Sequence, residues 1–260
     1  MCKQSSAVVL AAVLATAALP ASGADALRIC LAADNPPFST MTGERHGIDH
    51  DVMAELAVRL GRSMAARWVT IPNRGGLGKA LQQAFASGEC EIFAGVPLSD
   101  GRNEDLQAQG LASSRPYLTT GYALVVARGS SVRTLADARA AGRVGAVSAT
   151  PADLYLFEQQ MHRRPFGSNE ALLAALDADE IDAALFWLPA LARVSDGGRT
   201  LWPGALRLGE VQDGRLRAGF VVALGPTSTL TGAVLDQALA AMEREGSIAE
   251  IAGRYGLPTQ

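Results

Sequence analysis

Apolar strand-like segments alternate with amphipathic helices in two successive blocks, and this order limits the possible folds more than any other feature of the chain. The first block predicts strands over 27–31, 66–70 and 91–94, and helices over 52–60 and 79–87. The second block predicts strands over 144–147 and 181–187, and helices over 135–141, 151–160 and 170–176. A β-α-β-α-β order indicates a mostly parallel sheet flanked by helices. The sequence therefore predicts an α/β protein with two such units.

Two further apolar strands lie at the ends of the second block, over 122–126 and 218–224. We expect them to be hinge strands, at which the chain crosses from one lobe to the other and back. The first lobe would then contain residues 27–123 and 224–260, and the second lobe residues 126–217. A mature length of about 235 residues suits two lobes of roughly a hundred residues each.

The N-terminus has the features of a secretory signal peptide. Lys3 precedes an apolar run from Ala7 to Pro20, and small residues follow it. We therefore expect residues 1–23 to be removed, with Ala26 as the alternative cleavage position. The run is short and alanine-rich for a membrane span, and an N-terminal anchor is the alternative interpretation. Export would make the protein periplasmic, without stable membrane insertion.

Charge and cysteine content narrow the class of partner. Removal of residues 1–23 takes away Lys3 alone among the charged residues, which leaves 22 basic and 26 acidic ones. This balance argues against nucleic acid or an anionic membrane surface as the partner. Export also leaves two cysteines, Cys30 and Cys90, in or beside strands of one lobe. In an oxidising compartment an even number favours one disulfide, and two buried free thiols are the alternative.

The segment from Cys90 to Arg102 predicts a buried strand that ends at Gly95, followed by a turn that Pro97 fixes. A short helical turn beginning near Ser99 would then project the arginine over the carboxyl edge of the sheet, where α/β proteins bind ligands. A guanidinium suits a carboxylate or another planar anion. A solvated surface arginine is the alternative interpretation, and the same choice applies to Arg74.

Five segments in order carry a family resemblance. They are DNPPFS at 34–39, GIDHDVMAEL at 47–56, AGVPLSDGR at 94–102, SSRPY at 113–117 and VGAVSAT at 144–150. Together they resemble the periplasmic solute-binding proteins of the polar amino-acid-binding type, over nearly the whole mature chain. The resemblance implies a type II periplasmic-binding-protein fold, in which two lobes close by hinge motion around a ligand.

The same resemblance implies a set of ligand-binding residues. Arg102 matches the arginine that grips a ligand carboxylate, Thr150 matches a second-lobe threonine that assists it, and Phe38 matches an aromatic wall. The complete set of expected ligand-binding residues is Asn35, Phe38, Arg74, Val96, Arg102, Tyr117, Ser148, Thr150 and Trp187.

Three departures from the family pattern change the expected ligand. Members that bind amino acids usually have an Asp after the strand equivalent to 181–185, which holds the ammonium group, and Phe186-Trp187 stands there instead. Pro97 lacks the backbone N–H that normally faces the ligand, and Ala149 replaces a second-lobe glycine. Standard amino acids are therefore not the expected ligands.

A narrower resemblance concerns the partner. The Gly-Val-Pro turn at 95–97, NRGGL at 73–77, FWLP at 186–189 and the paired cysteines resemble substrate-binding-like periplasmic proteins encoded beside PQQ-dependent (quinoprotein) alcohol or methanol dehydrogenases. This resemblance implies a non-enzymatic protein with a dehydrogenase partner. Two alternatives stay open. One is an ordinary receptor that delivers a small carboxylate-bearing or weakly polar solute to an ABC transporter permease, and the other is a dehydratase-type enzyme on the same fold.

No catalytic or cofactor-binding arrangement is visible in the sequence, so neither an enzyme nor a cofactor is predicted. Gly75 to Lys79 lacks the spacing and the Ser/Thr of a phosphate-binding loop. His46 and His50 are four residues apart, which on a helix would suit a metal ion. Because Gly47 between them indicates a loop and a helix start, no metal site is predicted.

Overall fold

The structure is a computed structural model that describes residues 26–72, 74–127, 129–190, 206–209, 211 and 213–257. The predicted signal peptide, residues 1–23, lies outside the described residues. The strands are β1 (Ala26–Ala32), β2 (Asp34–Asn35), β3 (Ser39–Thr40), β4 (Ser63–Val69), β5 (Ile92–Ser99), β6 (Leu118–Ala127), β7 (Val144–Val147), β8 (Arg163–Phe166), β9 (Ala183–Trp187), β10 (Leu206–Gly209) and β11 (Arg217–Leu224). The helices are α1 (Ile48–Arg59), α2 (Gly76–Ala86), α3 (Glu104–Ala108), α4 (Leu135–Ala141), α5 (Pro151–Glu158), α6 (Asn169–Asp177), α7 (Gly232–Arg244) and α8 (Ser247–Arg254).

The first lobe contains the sheet order β4-β1-β5-β11, continued by the first half of β6. β1 is parallel to both β4 and β5, whereas β11 is antiparallel to β5. Parallel neighbours need crossover connections, and α1 and α2 supply them. One face of the sheet is buried around Met53 and Leu239, which belong to α1 and α7. The other face is buried around Phe93 of β5 and Leu81 of α2.

The second lobe contains the order β6-β9-β7-β8, with β10 antiparallel to β6. β7 is parallel to β9, as the predicted second β-α-β block requires, and it is also parallel to β8, a strand that was not predicted. Leu124, Leu156 and Leu185 belong to its buried core. The two-lobe α/β architecture expected from the sequence is therefore present.

A single strand, β6, belongs to both lobes. Its residues Leu118–Gly121 pair with β11, and Tyr122–Val125 pair with β9. The change of partner falls between Gly121 and Tyr122. A Cβ atom on Gly121 would lie 2.3 Å from the carbonyl oxygen of Leu216. The two segments that join the lobes therefore touch backbone to backbone, and only glycine fits at this contact.

Cys30 and Cys90 form a disulfide with a Cα–Cα distance of 5.6 Å, which confirms the predicted bridge. It joins β1 to the residues just before β5, and both cysteines are fully buried. The bridge closes a loop with a sequence separation of 60 residues. In the chain-entropy description a loop of this size stabilises the fold by about 4 kcal/mol.

The prediction that the strand ends at Gly95 is wrong, because β5 continues through Pro97 to Ser99. β1 pairs with β5 only at Ile92 and Phe93, so the rest of β5 has β11 as its neighbour. A strand with one free side tolerates a proline, which cannot donate a ladder hydrogen bond. The Pro97 carbonyl accepts a 2.8 Å hydrogen bond from the Asn103 side chain, which binds the end of the strand to the start of α3.

Two helices begin earlier than predicted, at Ile48 and at Asn169. The residue that caps α1 is Gly47, at φ +102°, and a Cβ there would lie 2.4 Å from the Phe38 carbonyl oxygen. Asp49 is buried inside the first turn of this helix. Helix α6 is capped by Ser168, whose hydroxyl accepts from the Ala171 amide, so the helix begins one residue earlier than predicted.

Candidate functional site

A cleft of about 870 Å³ lies between the two lobes, on the side of the β6 partner change. The first lobe contributes the end of β5 and the start of α3, and the second lobe contributes the ends of β7 and β9 with the start of α5. The segment Arg215–Ala218, which joins the lobes, also lines it. Of the nine expected ligand-binding residues, Arg102, Thr150 and Trp187 line this cleft.

Arg102 reaches the cleft through a tight turn at the end of β5. Ser99 and Arg102 exchange two backbone hydrogen bonds, of 2.9 and 3.0 Å, around Asp100 and Gly101. Both central residues have positive φ, at 49° and 71°, so this is a two-residue hairpin turn. The expected helical turn is therefore wrong, although the arginine still projects from the sheet edge. The Arg102 side chain is exposed, and no described residue forms an ion pair with it.

Hydrogen-bonded strands continue from this turn across the floor of the cleft. Ser99 is opposite both Arg102 and Ala218, and Ala218 is opposite Thr120 of β6. Directly opposite residues present their side chains on one face. The Thr120 hydroxyl is buried, and no described group forms a hydrogen bond with it. A polar atom without a partner thus lies beside the cleft floor.

On the second lobe, Thr150 caps α5 at the edge of the cleft. Its hydroxyl donates a 2.7 Å hydrogen bond to the Val147 carbonyl and accepts from the Asp153 amide at 3.4 Å. Ala149, which replaces the family's glycine, has φ 58°. Its amide donates to the Asp153 carboxylate at 3.1 Å. This acidic side chain thereby holds the turn that carries Thr150.

The aromatic part of the cleft consists of Trp187 and Tyr122. Trp187 ends β9 directly opposite Tyr122 on β6. Their ring centroids are 5.0 Å apart with an interplanar angle of 51°. Both side chains are half-buried and both line the cleft. Burial raises the pKa of the Tyr122 phenol, against a hydrogen bond with Thr150 that lowers it.

Six expected residues do not belong to the described lining of the cleft. Phe38 is buried against Phe220, with ring centroids 4.4 Å apart. Val96 is fully buried, and so is most of Tyr117. The remaining three, which are exposed elsewhere, are Asn35, Arg74 and Ser148. All six lie within segments that carry the resemblance, so a sequence match alone does not decide which side chains reach the cleft.

Sequence reasoning missed nine polar or charged residues of the cleft lining: Ser99, Asn103, Glu104, Asp105, Gln107, Tyr122, Asn169, Arg215 and Arg217. Tyr122 begins one predicted hinge strand, which was a usable signal. Arg215 is paired with Asp213 at 2.7 Å and lies over the Tyr155 ring, whereas no described residue forms an ion pair with Arg217. The cleft therefore combines two available guanidinium groups with two carboxylates from α3.

The two histidines lie outside the cleft, on the first lobe. The rings of His46 and His50 are 4.9 Å apart, and both are near Trp68. Within the described ranges, no three His, Cys, Asp or Glu side chains are grouped as a metal ion would require. None of the described helices has the length and apolar character needed to cross a bilayer.

Several solved structures share this two-lobe architecture. The L-cystine solute receptor of Neisseria gonorrhoeae, in an unliganded open conformation, superposes with a TM-score of 0.71 at 15% identity, covering 90% of this chain and 95% of that one. An ancestral cationic amino acid solute-binding protein gives 0.64 at 19%, covering 89% and 95%. An arginine transport binding protein of Legionella pneumophila gives 0.53 at 18%, covering 89% and 100%.

These likenesses establish a two-lobe type II periplasmic-binding fold, and at such identities they establish the fold alone. No curated protein sequence matches the chain. The profile of bacterial extracellular solute-binding proteins, family 3, matches residues 27–258, and the chain therefore belongs to this family.

Proposed function

We propose that this protein is a periplasmic solute receptor, which closes its two lobes around a small carboxylate-bearing solute and delivers it to an ABC importer. The observation that carries the proposal is the unpaired guanidinium of Arg102 at the edge of an interlobe cleft. A guanidinium offers a carboxylate two parallel N–H donors, which an ammonium group cannot do. Family membership supports the receptor function, because the family consists of extracellular solute-binding proteins.

The remaining cleft groups suit capture by closure. Thr150 faces Arg102 from the other lobe, so a solute bound to the first lobe would gain a second contact as the cleft narrows. The lobes would pivot where β6 changes partner, and the segment before β11 would bend with it. Hinge closure of this kind sequesters a ligand from water with small changes in a few backbone angles.

A non-enzymatic role fits the cleft better than catalysis. A dehydratase on this fold needs an acid and a base aimed at one bound molecule. Of the two cleft carboxylates, Asp105 packs against α2, where a Cβ on Gly78 would lie 2.2 Å from its Oδ1 atom. One known structure of this fold is described as a precursor of cyclohexadienyl dehydratase, so the fold itself accommodates both functions.

A second candidate keeps the cleft but changes the partner. The Cys30–Cys90 bridge, the Gly95-Val96-Pro97 segment and Trp187-Leu188-Pro189 resemble the proteins associated with quinoprotein alcohol or methanol dehydrogenases. In this role the cleft would hold an acidic segment of the dehydrogenase, again through Arg102. Both candidate functions require the Arg102 guanidinium at the cleft edge, and they differ in whether it binds a small solute or a segment of a partner protein.

One paired experiment separates them. The exported protein is screened by calorimetry against small carboxylates, and in parallel it is used as bait for periplasmic PQQ-dependent enzymes. The receptor function predicts binding of at least one carboxylate that Arg102→Ala weakens, with no retained dehydrogenase. Retention of a dehydrogenase that depends on Arg102, with no solute bound, would favour the second candidate. If Arg102→Ala keeps both solute binding and dehydrogenase binding, Arg102 takes part in neither, and both candidate functions lose their supporting observation.

A further inference from the structure

We infer that the solute of this cleft is a carboxylate with a flat apolar body and no α-ammonium group, such as an arylalkanoate. The inference rests on the proposed receptor function and concerns the chemical class of the solute. It depends on three features of the described cleft: an aromatic wall on the second lobe, the absence of negative charge from that wall, and the position of the carboxylates that the cleft does contain.

The aromatic wall is formed by Tyr122 and Trp187, whose ring centroids are 5.0 Å apart. Val147 and Leu185 line the same side of the cleft, and Pro97 and Leu98 face it from the first lobe. Narrowing of the cleft would place an inserted ring between the indole and the proline. Aromatic rings gain from tilted or offset contact with one another in addition to the area they bury. A planar hydrocarbon body fits between these groups, and a charged one does not.

Within the described part of the chain, the residues that the second lobe contributes to the cleft offer no counter-charge to an ammonium group. Its Asp153 and Glu158 line an adjoining cavity, and they are already paired with Arg163 and Arg215. The residues that it contributes to the described lining are Tyr122, Val147, Thr150, Pro151, Asn169, Leu185 and Trp187, and none of them is acidic. Burying an ammonium group without a paired carboxylate is costly, because the interior does not replace its hydration. A zwitterionic amino acid held by Arg102 would therefore lose affinity as the lobes closed over it.

The carboxylates of the described cleft lining belong to the first lobe. Glu104 and Asp105 belong to α3, directly after the turn that carries Arg102. Asp105 packs against Gly78 of α2, and Glu104 is exposed. Both therefore lie on the lobe that binds the solute carboxylate, away from the aromatic wall. Because Glu104 is exposed, an ion pair between it and an ammonium group would stay solvated and would contribute little to affinity.

Three ligands that differ by one group each test the inference on the full exported protein. Calorimetry compares 3-phenylpropanoate with L-phenylalanine, which adds an α-ammonium group, and with propanoate, which lacks the ring. We expect 3-phenylpropanoate to bind at least tenfold more tightly than either. In Trp187→Ala the ratio of affinities for 3-phenylpropanoate and propanoate should fall by about tenfold, because the aromatic contact is lost. Trp187→Phe should recover most of that ratio.

Val58→Ala is the control for a loss of exposed apolar area, because Val58 is exposed on the first lobe and lies outside the cleft lining. It should leave the ratio unchanged. Equal or tighter binding of L-phenylalanine would overturn the inference and leave the receptor function standing. Binding of propanoate or succinate through Arg102, without any preference for the aryl ligand, would do the same. If no carboxylate binds at all, the receptor function fails together with the inference.

Discussion

The Tyr117 phenol donates a 2.6 Å hydrogen bond to the Asp49 carboxylate, and both groups are buried inside the first lobe. Asp49 also lies directly beneath β5, since a Cβ on Gly95 would be 2.4 Å from its Oδ2 atom. A buried acid therefore supports the strand whose end carries Arg102. Burial raises the pKa of Asp49 to about 7, although the bond from Tyr117 acts in the opposite direction.

This pair predicts a pH-dependent stability. Asp49 retains its proton in the folded protein up to about pH 7, whereas in the unfolded chain it loses the proton near pH 4. The folded state binds more protons between these values, so the free energy of unfolding should fall as pH rises from 4 to 7. Asp49→Asn should remove this loss, which is at most about 4 kcal/mol. Urea unfolding of the wild type and of Asp49→Asn at pH 4.5 and pH 8 measures this change in the free energy of unfolding.

The control for this prediction is Tyr117→Phe, which removes the donor and leaves the acid. It should destabilise the fold by about 1–3 kcal/mol, because a buried acceptor loses its partner. The measurement compares how the free energy of unfolding changes between pH 4.5 and pH 8 in the wild type and in Asp49→Asn. An equal change in both proteins would show that other groups govern the pH dependence.

A second buried carboxylate, Glu91, should behave in the opposite way. Arg62 donates to both its oxygens, each at 3.1 Å. Burial raises the pKa of Glu91, but the hydrogen bonds from Arg62 and from the Arg28 amide outweigh burial, so the pKa lies below its usual value. Its contribution is therefore present above about pH 4 and lost as pH falls through the folded pKa.

Glu91→Gln should accordingly cost about 3 kcal/mol at pH 7, since it leaves Arg62 without its carboxylate. The matched control is Glu55→Gln, which breaks the exposed pair with Arg59 and should cost about 0.5 kcal/mol. Chemical denaturation of both variants at pH 7 and pH 3.5 checks the prediction. Equal losses in the two variants at pH 7 would contradict the structural role of the buried pair.

The Cys30–Cys90 bridge should matter for folding of the exported protein. Replacement of both cysteines by serine is expected to lower the free energy of unfolding by about 4 kcal/mol, because the unfolded chain regains the freedom of the closed loop. Mass analysis of the unreduced protein should show two hydrogens fewer than the dithiol form. Alkylation of both cysteines in the unfolded, unreduced protein would refute the bridge.

Arg102→Ala should weaken carboxylate binding by about ten- to a hundredfold, through the loss of a charge-assisted hydrogen bond. Arg102→Lys should recover only part of this, because an ammonium group lacks the planar two-point contact. The melting temperature should stay within a few degrees, since the side chain is exposed and no described residue pairs with it. Arg67→Ala, at an exposed arginine of β4, is the control for a change of charge alone.

The features that sequence reasoning located correctly are those fixed by local rules. Both cysteines of the disulfide were expected in or beside strands of one lobe, and Cys30 lies on β1 while Cys90 lies just before β5. The two parallel β-α-β units followed from the alternation of strand and helix segments. The bounds of α4 and β7 agree with the prediction for the same reason, because their caps and apolar runs are short-range signals.

The errors occur where distant segments decide the outcome. The sequence predicts a helix start at Val52, whereas α1 begins at Ile48 and its first turn buries Asp49 against Tyr117 and Gly95. Arg217 lines the cleft because it begins β11 directly after the segment that joins the lobes, which no local pattern encodes. Phe38 was expected at the ligand, yet Phe220 from the far end of the chain covers it.

The contact between Gly121 and the Leu216 carbonyl has a consequence for how such a receptor changes its specificity over evolution. Because no side chain separates the two joining segments, we expect the pivot between the lobes to be indifferent to most substitutions. Substitutions at Trp187 or Arg102 would then change which solute binds without changing the hinge motion that closes the lobes. Gly121→Ala, in contrast, should impair capture of every solute alike, which small-angle scattering with and without ligand would detect as a lost compaction.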